Sequence, residues 1–143
     1  MERAEFRFLR RLKADDRGAV LVEFAMVGPI LMVMLLGIVA YGGYFWLSHA
    51  VQQVANDVAR AAVAGLDTSE RSSLAQTSLT SAVGAYPFLQ ISAATATVTG
   101  DSSFLKVSVA YDASNSPFWA LDGLIPLPSS TITRQAAIRL GGY

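Results

Sequence analysis

Few residues in this chain are of a kind that does chemistry, and one of them stands where it is costly. Glu23 is the sole acid between Arg17 and Asp57, and it opens an uncharged apolar run, Phe24 to Leu47, of about 24 residues. A carboxylate at the mouth of an apolar helix costs at least a few kcal/mol, so such groups are held by a cation and serve a function. The chemistry on offer is therefore charge pairing. Catalytic readings find little support. His49 has no second histidine or cysteine to share a metal or complete a nucleophilic triad. The serines lack a G-x-S-x-G elbow, Gly42-Gly43 lies inside the apolar run, and the acids are scattered. The sequence thus gives no enzyme site and calls for no cofactor or metal.

The element that positions Glu23 is a helix. At roughly 1.5 Å per residue, the run from Phe24 to Leu47 covers about 36 Å, enough to cross a hydrocarbon layer of about 30 Å. Tyr41, Tyr44, Phe45 and Trp46 cluster at its far end, where amphipathic rings settle at a membrane–water boundary. Arg3, Arg7, Arg10, Arg11, Lys13 and Arg17 precede it, which keeps the N-terminus cytoplasmic and sends the rest to the outer side. Gly28-Pro29 weakens the helix locally. That pair reads either as a functional bend or as a kink that membrane helices tolerate. Residues 1–17 read equally as an amphipathic basic helix on the inner leaflet or as a charged tail that fixes topology. A secretory signal cut near Ile38-Val39-Ala40 fits less well, because its apolar core would be too long and would start at an acid.

The stretch Asp16-Arg17-Gly18-Ala19-Val20-Leu21-Val22-Glu23-Phe24-Ala25, followed by Gly28-Pro29 and a Leu/Met/Val run, resembles the TadE/TadF-like minor pilins, or pseudopilins, of the Tad (Flp-type) branch of the type IV pilus systems. The VEFA-x-x-x-P pattern is the more specific part. The resemblance implies that residues 1–18 are a prepilin leader, removed between Gly18 and Ala19 by a membrane aspartyl prepilin peptidase. The new amine of Ala19 would then be neutralised by Glu23 of the same or a neighbouring subunit. It implies as partners the peptidase, other pilins and the pilus-assembly platform, in a hetero-oligomeric filament or assembly complex. The implied location is the bacterial inner membrane, single-pass, with a periplasmic head and with incorporation into the pilus left open. An uncut single-pass adaptor, binding the secretion machinery through its head, is the alternative.

The totals fit one span and one small domain. The chain has 143 residues, 15% of them charged, with no net charge and no cysteine. The leader through Gly18 carries six basic and four acidic residues, so the remainder is slightly acidic and offers no basic field for nucleic acid. Without disulfides, the head must rely on its core or on neighbouring subunits.

After the membrane segment, residues 19–47, the head spans 48–143. The helix continues over 48–66, with Val51, Val54, Ala55, Val58, Ala62 and Gly65 on one face and Gly65 as its stop. Asp67-Thr68-Ser69-Glu70 has capping-box spacing and starts a second helix, 68–84, with Leu74, Leu79 and Val83 as its apolar contacts. Alternation then predicts strands near 93–99, 104–111 and 131–140, the first two joined as a hairpin through Gly100-Asp101-Ser102-Ser103. The expected fold is α+β and, by the resemblance, type IV pilin-like: a long helix covered by a short helix and a three-stranded antiparallel sheet. The connection 115–128 is unusually apolar. Its Phe118, Trp119, Leu124 and Ile125 either face a partner subunit or fold back to complete an undersized core, and the second reading is preferred.

Overall fold

The computed structural model describes residues 16–141, so the leader before residue 16, including its expected amphipathic helix, lies outside the described residues. Helix α1 spans Asp16–Ala62 and α2 spans Thr68–Gly84. Strands β1 (Ala94–Gly100), β2 (Phe104–Asp112) and β3 (Thr131–Arg139) form one antiparallel sheet in the order β1-β2-β3. The layout is the expected α+β one. The chain divides into two compact units, the first ending at Ile38 and the second beginning at Val39.

In the first unit, α1 runs through Pro29, and its apolar side chains from Val20 to Ile38 are almost all exposed. Leu, Met and Ala are good helix formers, and a helix satisfies its own backbone groups, which is what a lipid environment requires. This helix is long and apolar enough to cross a membrane and is compatible with single-pass anchoring.

In the second unit, the rest of α1 is amphipathic. Ala40, Leu47, Val51, Val54, Ala55, Val58 and Ala62 are buried along one stripe, at the i, i+3, i+4 spacing of a packed helix face. Against it lies β2, whose Leu105, Val107, Val109 and Tyr111 point inward while the alternate residues point out. Ile132 from β3, and Ala75, Leu79 and Val83 from α2, join the same core. Three strands are too few to stand alone, and this helix supplies the apolar layer they need. Val107 directly opposes Val98 in β1 and Ala136 in β3, so the central strand is apolar-paired on both sides.

Local chemistry sets the boundaries. The hairpin turn is held by Asp101, whose Oδ1 accepts from the Ser103 and Phe104 amides at 2.7 and 3.1 Å, while Gly100 takes φ 150° where a Cβ would strike the Phe104 carbonyl. Asp67 caps α2: its Oδ1 accepts from the Glu70 amide at 2.8 Å and from the Ser69 hydroxyl at 2.7 Å. Glu70 reaches back one residue further than a standard capping box, taking the Leu66 amide at 2.8 Å. The α-helix ends at Ala62, short of the expected residue 66, because the chain tightens there through Ala64 N–H to Ala61 O and Gly65 N–H to Ala62 O. Gly65 does not act as a left-handed stop. It is needed because a Cβ would collide with the Arg71 backbone, and its carbonyl accepts from Arg71 Nε at 3.0 Å.

The second compact unit begins at Val39, within the apolar run. The connection between β2 and β3 is the reason. Its 3-10 turn, Pro117–Leu121, lays Phe118 over Gly43 and brings Trp119 against Tyr44 at 6.0 Å between rings. The Tyr41 hydroxyl donates to the Pro126 carbonyl. Residues 39–47, apolar in sequence, thus contribute to the core of the head.

Candidate functional site

The sequence marks out the start of α1. Gly18 and Ala19 lie within the helix, and a Cβ on Gly18 would meet nothing within 4 Å. Ala19 and Glu23 are both exposed and stand one helical turn apart on the same face. Their separation along the axis is about 6 Å. Positions 19 and 23 are thus neighbours on one face of the same helix. Gly28 leaves room for the Phe24 ring, which packs 3.6 Å from where a Cβ would sit, and Pro29 follows on the exposed surface. From Ala19 to Ile38 the apolar helix is about 20 residues, or roughly 30 Å, long. That matches the hydrocarbon thickness without residues 39–47.

The connection of residues 115–128 separates the four side chains singled out from the sequence. Trp119 (8% exposed) and Ile125 (5%) are inside, Phe118 is half-buried over Gly43, and Leu124 (58%) faces outward. Phe118 also meets Phe88 edge-on at 6.0 Å, and Phe88 meets Trp46 at 5.8 Å. Phe88 adopts φ 68°, a left-handed conformation rare outside glycine, with its carbonyl accepting from the Tyr111 hydroxyl at 3.1 Å. Sequence reasoning had no signal for this aromatic row, because its members come from three distant segments.

A polar cluster one turn beyond Trp46 also escaped the sequence reading. Ser48, His49 and Gln52 of α1 face Arg134 of β3. Arg134 occupies the inward register of its strand, between Ile132 and Ala136, and opposes the buried Val109. The available signal was this arginine interrupting an otherwise apolar alternation. Gln52 Nε2 donates to the Gln135 carbonyl at 3.1 Å, tying the helix to the edge of β3. On the opposite edge Gln76 of α2 donates to the Ala96 carbonyl at 3.1 Å. Among the described residues no three His, Asp or Glu side chains converge as a metal site would require.

No curated protein and no solved structure matches the chain. Residues 18–60, from the glycine ahead of Glu23 to the amphipathic half of α1, match the family model of the TadE-like proteins, so this stem is similar to theirs.

Proposed function

We propose that the chain is a minor pilin or pseudopilin, a structural and assembly protein of a bacterial Tad (Flp-type) adhesive pilus. In this reading the prepilin peptidase removes residues 1–18 on the cytoplasmic side of the inner membrane, the helix from Ala19 spans the bilayer, and the head lies in the periplasm. The single observation that carries it is the TadE-like match beginning at Gly18, on a helix whose apolar side chains from Val20 to Ile38 are almost all exposed among the described residues. The mechanism is packing. Apolar stems bundle with those of other pilins and the assembly platform, and each Ala19 amine is neutralised by a Glu23, because a desolvated charge is tolerated only with a partner.

One observation favours the uncut adaptor as a second reading: the Gly18–Ala19 bond is helical here, and proteases favour exposed, irregular backbone. Mass spectrometry of the membrane-extracted protein from a host with the peptidase separates the two. Loss of residues 1–18 in the wild type, with Gly18→Val retaining them, supports processing; an intact leader in the wild type supports the adaptor. Glu23→Gln should leave cleavage intact but abolish assembly. Normal pili from Glu23→Gln would overturn the pairing role.

A further inference from the structure

A groove of about 480 Å³ opens at the end of the sheet where β1 begins and β2 ends. Gln90, Ser92, Asp112, Asn115 and Thr131, all exposed, line it together with Phe88. Its volume is that of a small-molecule site. Two features distinguish it from a plain surface hollow. Its walls are fixed: the buried Tyr111 hydroxyl donates to the Phe88 carbonyl at 3.1 Å and accepts from the Gln90 amide at 3.3 Å, which pins segment 88–90 to the end of β2. On the other side Asp112 Oδ1 accepts from the Ser114 amide at 2.9 Å, and the Ser116 amide donates to the Ala113 carbonyl at 2.8 Å. Phe88 is held at φ 68° in that frame, a strain that persists only where the surroundings impose it. The second feature is uncommitted polarity. The side chains of Gln90, Ser92, Asn115 and Thr131 make no hydrogen bond to any described residue, whereas Gln52 and Gln76 are both tied to strand edges.

The lining decides the class of ligand. No Lys, Arg or His lines the groove, so nothing there recruits a phosphate or a carboxylate. Asp112 is its one carboxylate, and no three His, Asp or Glu among the described residues converge to hold a metal. An apolar occupant would strip water from the amides and hydroxyls and give them no partner. The set suits a neutral ligand dense in hydroxyls. Each such hydroxyl donates and accepts, a carboxylate and amides can serve adjacent ones, and the C–H face of a sugar ring packs on an aromatic side chain. Phe88, 60% exposed, offers that apolar surface. We propose that this groove binds a neutral saccharide, with Asp112, Asn115 and Gln90 hydrogen-bonding its hydroxyls and Phe88 against the ring. A peptide segment would use the same amides but brings few hydroxyls, and the test separates the two. The groove lies wholly within the second unit, so its occupancy is independent of how the leader is processed.

The full chain is extracted in a polyoxyethylene detergent, whose headgroup carries no sugar, and mixed with a panel of neutral hexoses and N-acetylhexosamines. Saturation-transfer NMR reads which sugar protons touch the protein. At least one neutral sugar should receive saturation and be titratable. Asp112→Asn, which retains an acceptor for the Ser114 amide, and Asn115→Ala should each weaken its binding about fivefold, as the loss of one hydrogen bond does. Thr97→Ala, on the same sheet but outside the groove, should bind as the wild type does, and unchanged thermal melts show that all three variants are folded. Absence of transfer to every sugar overturns the proposal, and so does equal binding by the wild type and both groove variants. Transfer to a neutral pentapeptide but to no sugar would overturn it in favour of a protein partner.

Discussion

A phenyl ring over a glycine sets where the head begins. Phe118 occupies the space in which any side chain at position 43 would stand. Gly43→Val should therefore push the 117–121 turn off the helix, loosen Trp119 and Ile125, and destabilise the head by about 1–3 kcal/mol, as overpacking does. A thermal melt of the detergent-extracted protein checks this, and an unchanged melt would show that the turn is not seated there. Nothing in the local sequence announces the contact. Gly42-Gly43 reads as two small residues in an apolar helix, and only the long return of the chain after β2 reveals that one of them is a socket. Glu23 is the opposite case, since its type, its place and its spacing from Gly18 are all visible in the linear chain.

At the scale of elements, periodicity carries most of the fold. The alternation in β2 appears in the structure as buried Leu105, Val107, Val109 and Tyr111, and Asp67 starts α2 because its side chain meets the Glu70 amide. What periodicity cannot convey is competition between partners for the same face. Residues 39–47 are apolar enough for lipid, but the connection 115–128 covers part of them. Arg134 sits in an apolar register because the strand runs past the polar shoulder of α1, not its apolar stripe. The cap is open to test. Asp67→Ala should lower the melting temperature, with α2 fraying first in hydrogen exchange. Acid should act the same way. Hydrogen bonds to Glu70 and Ser69 hold the Asp67 carboxyl below its ordinary value of 3.8. Bonds to Ser103 and to Ser114 do likewise for Asp101 and Asp112. Their folded pKa values being lowered, the stabilisation is complete above pH 3.8 and is lost as pH falls through the lower folded values. A melting-temperature profile that is flat below pH 4 would contradict this; Asp101→Asn should shrink the acid-dependent part.

At the scale of the molecule, the division at Val39 yields a fragment prediction. Residues 39–143 contain the whole contiguous core and should melt cooperatively. A fragment starting at residue 49 lacks Ala40, Gly43 and Leu47, all buried, and should lose cooperative unfolding or fail to fold. Equal melts for the two fragments would show residues 39–47 to be dispensable to the head. The stem poses a different problem. Between Val20 and Ile38 a dozen or so large apolar side chains are exposed among the described residues. At roughly 1.5–3 kcal/mol each, leaving them in water costs on the order of 20 kcal/mol. An unescorted subunit in aqueous solution is therefore vanishingly rare, and any change of surroundings has to be a direct hand-off, with the new neighbours already touching the rod before the old ones let go.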